Sequence, residues 1–237
     1  MLGRFLELSL MTSDIRASVE FYERLGFTHC ATGDTWTHPY GVLSDGRIAI
    51  GLHQFRFPSP SLTFVHHDIA RRVAQVEAAG VEIAFRRTAD DVFNEFGFLG
   101  PAGHMVTVLE ARTFSPVNRD PAETTLCGEF REYSLPAPDF EIARQRWEAF
   151  GFVAIEDEDM PWRRISLTSD HLNLAFHSPR FFEQPLLVFS GADPVGRRER
   201  LAALGVAPAH DLPATLDDKR YTLLESPEGL AILLAPE

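Results

Sequence analysis

Cysteine is nearly absent from this chain: Cys30 and Cys127 are the whole supply in 237 residues. They do not fall at equivalent places in the internal repeat described below, so no disulfide framework is expected and a reducing cytoplasm is the simplest home. Positive charge is equally short, with 22 Lys and Arg against 34 Asp and Glu and a formal net charge of −12. Nucleic acid and anionic membrane surfaces both require a basic face, so neither is expected as a partner. The Arg71-Arg72 and Arg197-Arg198 pairs read as solvated helix faces. No apolar run reaches the length of a membrane span. The first residues pass straight into Phe5-Leu6-Glu7-Leu8-Ser9-Leu10, without the charged lead and long apolar region of a signal peptide. Also missing are a Walker loop, a dinucleotide fingerprint, a nucleophile elbow and cysteine pairs of zinc spacing, so nucleotide chemistry, hydride transfer and serine hydrolysis have no support.

What is present is a repeat. Four times an aspartate is followed twelve positions later by a glycine: Asp14 and Gly26, Asp68 and Gly80, Asp139 and Gly151, Asp193 and Gly205. The interval is the length of one short helix, with Asp able to cap the first free N–H groups and Gly able to take the left-handed position at the end. Phe27, Val81, Phe152 and Val206 follow the glycines at once, so each unit reads as helix, glycine, strand. The chain is a module of about 54 residues used twice in each half, the halves offset by 125.

The first module opens with an alternating strand from Phe5 to Leu10 and a helix whose Ile15, Val19 and Tyr22 fall in phase. Strands follow near Phe27 to Ala31, up to Leu43, and from Ile48 to His53, the last two joined by an Asp45-Gly46 turn. The second module repeats this with Leu62 to His66, a helix carrying Ile69, Val73 and Val76, then Val81 to Phe85, Val92 to Leu99 and Met105 to Glu110. Each module reads βαβββ. Residues 114–125, with two prolines and little periodicity, form the expected linker between a domain at 1–113 (modules 1–54 and 55–113) and one at 126–237 (modules 126–180 and 181–237). Ser9 to Phe27 lies over Ser134 to Phe152 without a gap, and His53 recurs as His177 one gap displaced.

This organisation resembles the vicinal oxygen chelate superfamily, the group that includes glyoxalase I, extradiol dioxygenases and bleomycin-resistance proteins. The resemblance is carried by Ser9-Leu10-Met11-Thr12-Ser13-Asp14, by Phe21-Tyr22-Glu23-Arg24-Leu25-Gly26-Phe27, by Ala79-Gly80-Val81, and by Gly100-Pro101-Ala102-Gly103-His104 with its counterpart Ser226-Pro227-Glu228-Gly229-Leu230. It covers nearly the whole chain. It implies an α+β fold of four βαβββ modules in two tandem glyoxalase-like domains, each a curved mixed sheet with helices on its outer face. It does not imply one activity, because such scaffolds host many.

Alternation assigns the strand faces. Leu6, Leu8 and Leu10 are expected to pack on the helices, turning Glu7 and Ser9 to the concave face; Ile48, Ile50 and Leu52 leave Ala49, Gly51 and His53 concave. In the second half Glu132, Ser134 and His177 take the same places. The resemblance makes the first and fourth strands neighbours, bringing Glu7 near His53 and Glu132 near His177. The expected ligand-binding residues are Ser9, Trp36, Tyr40, Ser61, Thr63, Met105 and Thr107 in the first half, with Phe55 or Phe57 at the mouth, and Glu132 and His177 in the second. A mixed lining of this kind suits a small organic ligand. His29, His38 and His104 are expected at the surface.

In metal-dependent relatives the ligands come from the first strand, seven residues before the helix-initiating Asp, and from the last strand of a module. Those positions here are Glu7, Gly51, Ser61 and Thr107, then Glu132, Ala175, Leu186 and Leu233. One good donor per half falls short of the three or four that a divalent ion takes. The leading expectation is a small-molecule-binding protein with the usual metal site lost and no cofactor, Glu7 acting as a general base beside His53. The alternative is a glyoxalase-type lyase or ring-cleaving dioxygenase holding Zn, Ni, Mn or Fe at a displaced Glu7/His53 site. Edge strands permit a homodimer, and nothing specifies another protein partner.

Overall fold

The computed structural model describes residues 2–32, 36–89, 93–111, 125–209 and 212–237, so all of the expected 114–125 linker but Thr125 lies outside the described residues, as does Val92. The first half runs β1 (Arg4–Met11), α1 (Ile15–Arg24), β2 (Thr28–Cys30), β3 (Tyr40–Ser44), β4 (Ala49–His53), β5 (Ser61–His66), α2 (Ile69–Ala78), β6 (Ile83–Arg87), β7 (Glu95–Leu99) and β8 (Met105–Glu110). The second runs β9 (Glu129–Pro136), α3 (Phe140–Ala149), β10 (Val153–Glu158), β11 (Arg164–Ser169), β12 (Leu172–His177), β13 (Leu186–Ser190), α4 (Pro194–Ala203), β14 (Thr222–Glu225) and β15 (Ala231–Ala235). Two modules join edge to edge in each half. The first sheet has the order β2-β3-β4-β1-β5-β8-β7-β6 and the second β10-β11-β12-β9-β13-β15-β14. The fourth module has one strand fewer among the described residues; at the place of β6, Ala209 donates its N–H to the Leu223 carbonyl at 2.8 Å.

The four helices begin and end as their sequence spacing predicts. Asp14, Asp68, Asp139 and Asp193 each accept a backbone N–H from the first turn. Gly26, Gly80, Gly151 and Gly205 have φ of 91°, 74°, 98° and 73°, conformations that cost other residues a Cβ clash. The next residue is still tied to the helix: the N–H groups of Phe27, Val81, Phe152 and Val206 bond the carbonyls of Tyr22, Val76, Trp147 and Leu201 at 3.0–3.2 Å. These residues are therefore helix ends buried in the core, and β2 and β6 start at Thr28 and Ile83, later than expected.

The face assignment of β1 needs one correction. Its ladder with β5 passes from Phe5↔Phe64 to Glu7↔Thr63, a bulge at Leu6 that shifts the register by one residue. Phe5, not Leu6, joins the core, packing edge-on against Phe64 with ring centroids 5.6 Å apart. The bulge recurs 125 residues on, between Phe130↔Phe189 and Glu132↔Val188. In both halves it lets an apolar residue face the helices while the Glu two positions later faces the cleft.

The halves share one core on the helix side of both sheets. Phe27 meets Phe189 at 6.1 Å, and Phe98 meets Phe150 at 5.3 Å. His104 is not a surface residue: its ring stacks on Trp147 at 5.5 Å, and both ring nitrogens are buried with no hydrogen-bond partner among the described residues. Burial depresses its imidazole pKa to about 3. Arg197, also buried, clamps three chain segments by donating to the carbonyls of Cys127 (2.8 Å), Gly191 (2.6 Å) and Ala235 (3.2 Å). Arg197→Met would strand these acceptors and is expected to cost about 3 kcal/mol, read as a lower urea midpoint at unchanged slope. A midpoint within error of the parent would remove the clamp from the stability of the fold.

Candidate functional site

β1 and β4 run parallel in register Ser9↔Gly51 and Met11↔His53, and β3 sets Tyr40 opposite His53. These three strands converge on Glu7, which is 1% exposed. Tyr40 donates its hydroxyl to Glu7 Oε2 at 2.5 Å, Ser9 donates to Oε1 at 2.8 Å, and His53 Nε2 lies 2.9 Å from the same Oε1. Thr63, opposite Glu7 on β5, bonds Ser9 at 2.7 Å. A carboxylate in its ionised form only accepts, and against that form the proton of this contact belongs to His53 Nε2. Its other nitrogen, Nδ1, sits 3.0 Å from His38 Nε2. Tyr40, Glu7, His53 and His38 thus form one hydrogen-bonded line from the sheet outward. Burial, then the Glu7 charge, drives the Tyr40 hydroxyl far above its ordinary pKa. Burial and the neighbouring His53 lower that of His38.

Gly51 makes this arrangement possible. A Cβ there would overlap Glu7 Oε1, so the carboxylate lies folded across the strand in space that any other side chain would fill. Trp36 covers the line, with ring centroids 5.4 Å from His38, 6.1 Å from Tyr40 and 5.3 Å from His53. Phe93 packs on Trp36 at 5.5 Å, Phe57 on His53 at 5.4 Å, and Phe55 stacks on His38 at 5.0 Å. Farther along the concave face Ser61 and Thr107 bond each other at 2.8 Å, with Met105 in register with Ser61.

Of the residues singled out from sequence, the structure brings Glu7, Ser9, Tyr40, His53, Thr63 and Trp36 into one cluster and sets Ser61, Met105 and Thr107 beside it. His38 and Phe93 were missed. Trp36, His38 and Tyr40 alternate along the approach to β3, and that period of two was the available signal.

Glu132 and His177 are not joined. Ala175 stands at the place of Gly51, and Glu132 turns instead to Ser166 at 3.0 Å and Arg164 at 3.5 Å. His177 bonds Ser134 through Nδ1 at 2.8 Å and the Phe182 carbonyl through Nε2 at 3.1 Å. Burial lowers its pKa to about 4 and raises that of Glu132 against the pull of Arg164. Leu186 and Leu233 replace the Ser61 and Thr107 hydroxyls, and Trp162, Leu216 and Tyr221 pack over them as a second apolar cluster. The second cleft is filled by its own chain.

The first cleft does not fit a divalent metal. Gly51 supplies no donor, the Ser61 and Thr107 hydroxyls are spent on each other, and both nitrogens of His53 are hydrogen-bonded. Among the described residues no three His, Cys, Asp or Glu converge on one point.

No family model and no curated protein matches the chain. Solved structures do. A variant of homoprotocatechuate 2,3-dioxygenase from Brevibacterium fuscum in complex with HPCA is 14% identical, with a TM-score of 0.64 over 99% of this chain and 71% of that one. A room-temperature structure of an extradiol ring-cleaving dioxygenase from the same organism is 15% identical (TM-score 0.63, 99% and 72%). A catechol 2,3-dioxygenase is 14% identical (TM-score 0.59, 99% and 93%). The chain has the tandem βαβββ fold of the extradiol dioxygenases, as the resemblance to the vicinal oxygen chelate superfamily implied.

Proposed function

We propose that the cleft of the first half binds a small planar organic molecule with an acidic O–H or C–H, and that the Glu7/His53 pair accepts its proton without a metal. The observation that carries this is the line Tyr40–Glu7–His53–His38 opening under an aromatic rim. Such a rim offers ring faces to a flat ligand. A buried carboxylate already holding three hydrogen bonds is a fixed charge that keeps His53 oriented toward it. His38, half-buried at the outer end, is where a proton from the cleft enters the line. The names of the structural neighbours point to homoprotocatechuate and catechol as their substrates, and planar hydroxylated aromatics are the ligand class we assign here.

Titration with catechol and homoprotocatechuate, followed by tryptophan fluorescence, tests the assignment. Glu7→Gln is expected to weaken binding about tenfold to a hundredfold, equivalent to roughly 1.4–2.8 kcal/mol; an unaffected variant would remove Glu7 from the mechanism. Elemental analysis of protein purified without chelators tests the metal-free part. Stoichiometric Zn, Ni, Mn or Fe, lost on His53→Ala, would replace this reading with a metal-dependent lyase or dioxygenase.

A further inference from the structure

One cavity lies outside both concave clefts. It is a groove of about 380 Å³ at the seam between the halves, formed where the end of α2 and the β7–β8 turn meet α3. Val81, Phe98, Leu99, Pro101 and Phe150 give it apolar walls, and Arg146 supplies a cation. A smaller cavity of about 190 Å³, lined by Ile142 and Gln145, adjoins it and shares Arg146. Leu99 and Ile142 stand 54% and 56% exposed beside it, apolar surface with no cover among the described residues.

The repeat says what such a seam holds. The other seam, between the first and fourth modules, carries Phe21 and Leu25 at the places of Arg146 and Phe150. There the chain delivers Thr125 and Leu126: the Leu126 N–H bonds the Leu25 carbonyl at 2.9 Å, its side chain packs against the core, and Thr125 lies 3.5 Å from where a Gly26 Cβ would be. One seam is thus covered by an apolar group from the chain itself. Its counterpart has no such cover among the described residues and has exchanged an aromatic side chain for a guanidinium. A basic residue in the last turn of a helix is favourable without any ligand. Arg146, however, lies between two cavities and makes no ion pair with any described residue, Glu82 on the groove wall included.

We propose that this groove binds a small apolar carboxylate, its hydrocarbon or aryl part against Phe98, Leu99 and Phe150 and its anionic group on Arg146. The volume lies within the range of small-molecule sites, and the guanidinium fork matches a carboxylate. The site is separate from the concave cleft and does not depend on what that cleft binds.

Octanoate is the test ligand, with octanol as its uncharged match, titrated calorimetrically into the full chain. Octanoate is expected to bind one to one and octanol about tenfold or more weaker. Arg146→Gln should bring octanoate down to the octanol level, leaving octanol unchanged. Ala84→Trp, which fills the groove from the β6 side, should abolish both. Circular dichroism confirms that each variant is folded. No octanoate binding by the parent protein, equal affinity for octanoate and octanol, or full octanoate affinity in either folded variant would overturn the proposal.

Discussion

Gly51→Ala is expected to destabilise the protein by about 3 kcal/mol and to abolish ligand binding in the first cleft, although it adds one methyl group to a buried strand. The added Cβ would overlap Glu7 Oε1, and the carboxylate would have to leave. Leaving breaks its bonds to Tyr40, Ser9 and His53, each of the charge-assisted kind worth more than a neutral bond. The second half shows the path a displaced carboxylate takes. Beside Ala175, Glu132 turns to Ser166 and Arg164, which lie in register with Ala175 and His177. In the first half those register positions hold Val42 and Tyr40, so no hydroxyl and guanidinium pair awaits Glu7. The double variant Glu7→Ala, Gly51→Ala removes the clash together with the charge. Chemical denaturation of the two single variants and the double is expected to give a coupling of about 2 kcal/mol, with the double more stable than simple addition requires. Additive losses would mean that Gly51 does not accommodate Glu7.

The fold was legible because its signals are local and repeated. Asp to accept the first N–H groups, Gly for the left-handed turn and an apolar residue after it are needed at every helix end, so four copies fixed the modules. Glu7 and His53 were legible as cleft residues from alternation alone. Alternation failed at Leu6, because a bulge changes the strand phase without changing composition. His38 went unread because its role depends on the partner across β3 and β4, and single-residue surroundings do not show that. His104 went unread because a turn residue is ordinarily solvated, whereas this turn is pressed against Trp147 of the other half. The difference between the two clefts was only half visible. Leu186 and Leu233 announced an apolar lining, but the bulk that closes over them comes from Trp162 and Tyr221, distant in sequence.

Acidification from pH 7 to pH 4 should lower the stability of this chain by several kcal/mol, through two imidazoles that the fold keeps neutral. Burial holds His104 at about 3 and His177 at about 4, against an ordinary value of 6.5. In that interval the unfolded chain binds protons that the native state refuses, so stability rises with pH. The contribution is complete above about 6.5 and is lost progressively toward 4 for His177 and toward 3 for His104. Each unit of depression corresponds to about 1.4 kcal/mol, a large share of a total of roughly 5–15 kcal/mol. Glu132 acts the other way: its pKa is raised by burial, so its native form holds a proton more firmly and offsets part of the loss below the ordinary carboxylate range. The repeat supplies the control. Leu230 stands at the place of His104 in the fourth module and is buried in the shared core. His104→Leu removes the titrating group together with two nitrogens that have no hydrogen-bond partner among the described residues. Thermal melts at about pH 8, 6.5, 5 and 4 should show the variant falling less steeply than the parent, the gap widening as pH drops. Parallel curves would show that His104 does not supply the acid sensitivity.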